Sequence, residues 1–322
     1  MRRILIFKTD RVGDLINITP VINNLKLNNP DCKIDLICSS YNFQIAKYII
    51  GINKIFIYEN SILNFLKVNF KNILSTKYDV IFQLDGKNHS YLLSLIFQST
   101  KKYSLKFIKQ KKFLGKNYKL TRPNFFYQYF IDTIECKEDY NLSDNKSYHY
   151  LTLYLKLLKK ADFDIVNKNH VLNYKPIIKV VNFKNDYIHF HIDEKSLNLN
   201  SIVQNNLVKF LKSISSSNNI AITSNLGENP IFDLLCNEFK KNKNFLFFKS
   251  PVFSDLISIV YFSKTCISSH SGFIVHLAAC YNKNIIDIVN KNIFNELDRW
   301  IPFNINYKRI DIEELDKNND IA

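Results

Sequence analysis

The chain has 322 residues, 46% of them hydrophobic, enough for about two domains with sizeable cores. Its 44 basic and 29 acidic residues leave a net charge of +15, which favours an anionic partner: nucleic acid, an anionic membrane surface or a phosphorylated substrate. No apolar run nears the roughly 18 residues that span a bilayer, and none of the six cysteines forms a CxxC pair, so buried free thiols are expected and a metal site is not.

The opening "MRRILIFKTD" has a four-residue apolar core, too short for a signal-peptide core of roughly 7–15 residues. It reads as a first strand, and the protein as cytoplasmic. In "ILIFKTDRVGDLINITPVINNLK" the strand stops at a basic, glycine-containing turn, and Leu15, Ile18, Ile22 and Leu25 then share one helical face. Gly13 lets the backbone approach a ligand closely or take positive φ. Asp14 is either a helix N-cap or a functional carboxylate at a strand end, where open α/β sheets bind ligands. With a single glycine the turn is neither GxGxxG nor a P-loop.

"KIDLIC", "KIFIYE" and "DVIFQL" read as further strands, with helices over 42–50, 62–75 and "SYLLSLIFQS". The alternation implies a parallel sheet with crossover helices. Between Lys101 and Lys119 there are eight lysines and no acids. This stretch is either a solvated loop or hairpin, or a patch facing phosphates or a membrane. "TRPNFFYQYFIDTIE" reads as a helix, "EDYNLSDNK" as a turn, and about 147–161 as a long helix. The link to a second domain falls in 163–184, which gives domains 1–170 and 171–322.

Alternation resumes in "YIHFHI", "NIAITS", "NFLFFK", "KTCISS" and "NIIDIV", separated by helices near 202–216, 229–240, 253–262 and 272–281, with Ser254 as an N-cap. His270, Ser271 and Gly272 form a strand-to-helix turn, and free N–H groups at such a helix start can hold an anion. His276 is either a ligand group or a histidine satisfied within its helix. Lys195, after "YIHFHIDE", is either an exposed loop residue or a counter-charge for a leaving diphosphate. Ser224 and Asn225 end another strand, within reach of a nucleotide.

Taken together these segments resemble glycosyltransferase family 9, the ADP-heptose:lipopolysaccharide heptosyltransferases. The first segment is similar to that family's opening strand, R-x-G-D turn and T-P-x-[IL]. "YDVIFQLDGKNHSYLLSLI" resembles its YD-hydrophobic-DL-x-G…S segment, "SPVFSDLISIVYFSKTCISSHSGFIVHLAA" the stretch ending D-[ST]-G…H-x-A-A, and "RWIPF" a late W-x-P element. The resemblance implies a GT-B fold, two Rossmann-like doubly wound α/β domains facing a central cleft. It implies inverting, metal-independent sugar transfer, with no cofactor beyond a nucleotide-sugar co-substrate such as ADP-heptose. The N-terminal domain would take a lipid-linked glycan acceptor at Arg11, Gly13, Asn88, Lys101 and Lys102. The C-terminal domain would take the donor at Ser224, Asn225, His270, Ser271, Gly272 and His276. Asp14 matches the proposed general base and Lys195 the lysine on the donor phosphates. The family usually carries Asp where this chain has His270, and two residues rather than three between the glycine and His276. Both departures fall on the donor side. Peripheral contact with the inner face of an anionic membrane is expected. A nucleic-acid partner is not, since no zinc-finger, RNP or helix-turn-helix pattern is present.

Overall fold

The structure, a computed structural model, describes residues 2–113, 116–122, 131–137, 149–193, 201–225, 228–269 and 271–317. It divides into two compact units, Met1–Lys168 and Asn169–Ala322. Among the described residues no helix is long and apolar enough to cross a membrane. All six cysteines are free, four of them buried.

In the first unit the strands are β1 (Arg3–Phe7), β2 (Lys33–Ser39), β3 (Ile52–Tyr58), β4 (Tyr78–Gln83), β5 (Ser99–Phe113), β6 (Lys116–Arg122) and β7 (Asp132–Lys137). They run in the order β3-β2-β1-β4-β5-β6, with β7 also paired to β5. Among the described residues of this unit only β5 and β6 pair antiparallel. Ile4, Leu5, Ile6 and Phe7 are all fully buried, as a parallel strand covered on both faces requires. The chain leaves β1 for β2 on one side and later returns to β4 on the other. The carboxyl ends of β1 and β4 therefore flank a topological switch point, where such sheets bind ligands.

The helices are α1 (Val12–Ile16), α2 (Thr19–Asn28), α3 (Ser40–Ala46), α4 (Ile62–Ser75), α5 (Asn88–Ile96) and α6 (Tyr150–Lys160). Leu15, Ile18, Ile22 and Leu25 are buried as expected, but they do not lie on one continuous helix. Pro20 lacks an N–H and is excluded from a helix interior, so the helix restarts at Thr19, whose Oγ1 donates to Ile16 O at 2.8 Å. The helix expected over 121–135 is also corrected. Its ends are strands β6 and β7, and 123–130 lies outside the described residues, as does "EDYNLSDNK". Ile131 and Ile134 mimic a helical i, i+3 spacing, but β7 is held by a parallel partner, Tyr103 to Ile108 of β5.

The second unit has β8 (Tyr187–Ile192), β9 (Asn219–Ser224), β10 (Phe245–Lys249), β11 (Thr265–Ser268), β12 (Asn284–Val289) and β13 (Tyr307–Asp311), all parallel in the order β10-β9-β8-β11-β12-β13. Its helices include α7 (Ser201–Ser215), α8 (Pro230–Phe239), α9 (Phe253–Phe262) and α10 (Gly272–Cys280). The switch point lies between β8 and β11. Ser254 is not the cap of α9. The helix starts two residues earlier than that cap would give, at Phe253 after extended Val252, and the Ser254 hydroxyl turns to Asp255 Oδ1 at 3.3 Å.

Candidate functional site

In the first unit, the ends of β1 and β4 are tied together by Asp85. Its Oδ2 accepts from Thr9 N (3.0 Å), Thr9 Oγ1 (2.7 Å) and Ser90 Oγ (2.7 Å), and its Oδ1 from Gln83 Nε2 (2.5 Å) and Lys87 N (3.1 Å). Five donors occupy the carboxylate, which makes it a structural hub rather than a reactive group. The next residue, Gly86, has φ +64°, and a Cβ there would lie 2.4 Å from Cε2 of Phe107. The positive φ favours glycine, and the Phe107 ring leaves no room for a Cβ unless it moves. Thr9 Oγ1 gives its one proton to Asp85, so His89 Nε2, 2.8 Å away, must be the donor to it. Burial pushes the His89 imidazole down, towards its neutral form, and its ring stacks on Tyr58 at 4.3 Å.

Beside this hub, Lys8 is buried and its Nζ donates to Asp10 Oδ2 (2.8 Å), Leu84 O (3.2 Å) and Tyr154 OH (2.9 Å). Burial opposes the ammonium charge, but Asp10, Tyr154 and Asp14 outweigh it and hold the lysine well above its usual range. Asp10 is pushed up to about 7, chiefly by burial; Lys8 opposes this, and Asp14 and Asp85 add to it.

Asp14 lies in the first turn of α1. It is not the cap. Arg11 holds that position with extended backbone and makes no side-chain cap bond. Gly13 is helical rather than positive in φ. The Asp14 carboxylate is half-exposed and accepts no hydrogen bond or ion pair among the described residues, in contrast to Asp10 and Asp85. An acid at a helix start is favoured by the dipole, and its free lone pairs can take a proton. Exposed Arg11 and Asn88, the first residue of α5, belong to the same set of strand-end loops. Lys101 and Lys102 do not. They pair with Val80 and Ile81, inside the sheet rather than at its carboxyl edge. Lys101 Nζ lies 3.6 Å from Asp162 Oδ2, and Lys102 Nζ donates to Leu95 O at 3.4 Å. The lysine-rich stretch forms the β5–β6 hairpin, closed at Phe113 and Lys116; its side chains from 109 onward lie outside the described residues.

In the second unit, serines fasten the strand ends. Ser269 N donates to His191 O (2.9 Å), and Asp193 N donates to Ser269 Oγ (2.6 Å). Ser271 N donates to Ser268 Oγ (2.8 Å), so this amide is already used and is not a free anion donor. The helix α10 that follows has no side-chain cap. Its first amides, at Gly272, Phe273 and Ile274, have no carbonyl of their own helix to bond. Gly272 is exposed, and a Cβ there would meet nothing within 4 Å. The turn therefore offers open approach to backbone donors at the positive end of a helix. Ser224 is buried at the end of β9, and Asn225 follows it exposed. His276 is buried and stacks on His170 at 5.1 Å, which favours a packing role. Lys195 and His270 lie outside the described residues.

The sequence reading missed Lys8, Asp10, Asp85, His89 and Tyr154 around the first strand end. It also missed a buried pair in the second unit. His189 Nε2 and His191 Nδ1 flank Thr223 Oγ1 at 2.7 and 2.8 Å, joining β8 to β9. Burial pushes His189 down to about 3 and His191 well below the usual range.

No family profile and no curated protein sequence matches this chain. Solved structures do. A glycosyl transferase family 9 protein from Veillonella parvula DSM 2008 superposes with TM-score 0.70 at 13% identity, over 96% of this chain and 86% of that one. E. coli heptosyltransferase WaaC with ADP gives TM-score 0.70 at 13% identity, over 98% and 96% of the two chains. E. coli ADP-heptose lps heptosyltransferase II gives 0.68 at 11%, over 96% and 90%. The chain has the two-domain α/β fold of these glycosyltransferases. At such identities the likeness establishes the fold.

Proposed function

We propose that the chain is a glycosyltransferase that moves a sugar from a nucleoside diphosphate onto a lipopolysaccharide core or related surface glycan. Heptose from ADP-heptose is the first donor to consider, since structures of the same fold hold ADP and ADP-2-deoxy-2-fluoro heptose. The observation that carries the reading is Asp14: a half-exposed carboxylate at the switch point, without a hydrogen-bond partner among the described residues, near Asp10, which is paired with Lys8, and Asp85, which accepts from five donors.

In this mechanism Asp14 takes the proton from the acceptor hydroxyl as that oxygen attacks the anomeric carbon. Such a base contributes typically 10²–10⁴-fold. The bond to the diphosphate breaks on the opposite face, so the configuration inverts. The leaving diphosphate gains negative charge, and in this reading the backbone N–H groups at the start of α10, at Gly272, Phe273 and Ile274, stabilise it. The family resemblance adds Lys195 to the same task and calls for no metal. The Met1–Lys168 unit takes the lipid-linked acceptor and the Asn169–Ala322 unit the nucleotide sugar.

His270, where the family usually has Asp, favours a second reading with another nucleotide-sugar donor, or a non-catalytic sugar-nucleotide binder. Thermal melting against ADP-heptose, GDP-, UDP- and dTDP-sugars, with the free diphosphates alongside, separates these readings. A ligand at 100 times its Kd stabilises by about 2.7 kcal/mol. A larger shift with ADP-heptose than with ADP supports heptose; a larger shift with another sugar nucleotide changes the donor. No shift with any of them contradicts nucleotide-sugar binding.

A further inference from the structure

The positive charge of this chain is concentrated in one stretch. From Asn60 to Ile131 the sequence has thirteen of its 44 basic residues and only two of its 29 acids. Those acids are Asp79, which accepts from Arg3 N, and the buried hub Asp85. The stretch includes α4 and α5, which pack together in the first unit.

Helix α4 has more apolar surface than its packing needs. Phe65 and Ile73 are buried, with Ile62 and Leu66 packed against the same core. Leu63, Phe70 and Leu74 are 80, 58 and 57% exposed. At 100° per residue these three fall within about 20° of one line along the helix. They form a stripe beside the buried face. Lys67 and Lys71 follow on its solvent side, roughly 40° and 80° further round. Both are exposed, and neither makes an ion pair among the described residues. Neither α4 nor α5 contains an acidic residue, and Leu92 and Ile96 of α5 are also exposed.

We infer that the α4 stripe is a docking surface for an anionic lipid bilayer. An apolar stripe edged by lysines, on a helix with no acids, is the pattern of a helix lying in the membrane interface. The three side chains enter the head-group and acyl boundary, while Lys67 and Lys71 extend along it to lipid phosphates. Charge complementarity selects this occupant. A second copy of the chain would bring lysine-rich faces of the same sign together, whereas an anionic leaflet attracts each lysine. The inference rests on one unit's surface and stands apart from which sugar, if any, is transferred.

Co-sedimentation of the full chain with phosphatidylcholine/phosphatidylglycerol vesicles tests it, with pure phosphatidylcholine vesicles beside them. The wild type should pellet with the anionic vesicles and be released as salt rises from about 0.05 to about 0.5 M. Leu63→Asn/Phe70→Asn/Leu74→Asn, made at exposed positions, should keep its circular dichroism and bind at least tenfold more weakly. Lys67→Glu/Lys71→Glu should also lose at least tenfold, and leaves the stripe and the packing face intact. Absence of wild-type pelleting would overturn the inference, as would wild-type binding by the triple Asn variant. So would a dimer in light scattering that the triple variant abolishes.

Discussion

The ammonium of Lys8 lies 2.8 Å from Oδ2 of Asp10, and the lysine's other two protons go to Leu84 O and Tyr154 OH. All three ammonium donors are used, so the charge stays on Lys8. Asp10 has no such completeness: its Oδ1 is buried without a partner among the described residues.

Asp10 should leave a signature in stability. Its folded value is about 7, against about 3.9 in an unfolded chain. The native state therefore binds this proton more tightly. The group's contribution is full below about pH 4 and is lost as pH rises towards 7. In urea unfolding, the stability of wild type relative to Asp10→Asn should fall by about 2–4 kcal/mol across that window. A difference that stays flat with pH contradicts the assignment.

The buried histidines act in the opposite direction. His189 and His191 are held neutral by burial, while unfolded histidine titrates near 6.5. Their contribution is present above pH 6.5 and is lost as pH falls towards 3. His189→Gln should flatten the acid arm of the unfolding curve. An unchanged acid arm would show that the pair does not control it.

Two glycines make a contrast. Gly86→Ala forces a Cβ to within 2.4 Å of Phe107 at positive φ and should cost about 2–4 kcal/mol of stability. Gly272→Ala meets nothing within 4 Å, so stability should stay within about 0.5 kcal/mol. Its effect should appear only in weaker diphosphate binding, measured by calorimetry. Unchanged binding would remove the start of α10 from the site.

Much of the fold was legible because buried parallel strands read as unbroken apolar runs. "YIHFHI" and "NIAITS" are β8 and β9 to the residue, and 62–75 is α4. The break before Pro20 was masked by an apolar face that continues through it. The strand β7 was masked by isoleucines at helical spacing. Asp14 and the Gly272 turn were legible as residues at strand ends. Their support was not. Asp85 meets Thr9 across 76 residues, and Lys8 meets Tyr154 across 146; no local pattern encodes such pairs. The amide of Ser271 looked free in the sequence, but Ser268, three residues back, already holds it.

The most direct test compares wild type with Asp14→Asn for release of nucleoside diphosphate from a nucleotide sugar, ADP-heptose first, with a lipopolysaccharide-core acceptor present. Wild type should turn over. The variant should lose at least 100-fold in rate while binding the donor as tightly as wild type. Equal turnover by the two proteins would contradict the role given to Asp14, and with it the mechanism.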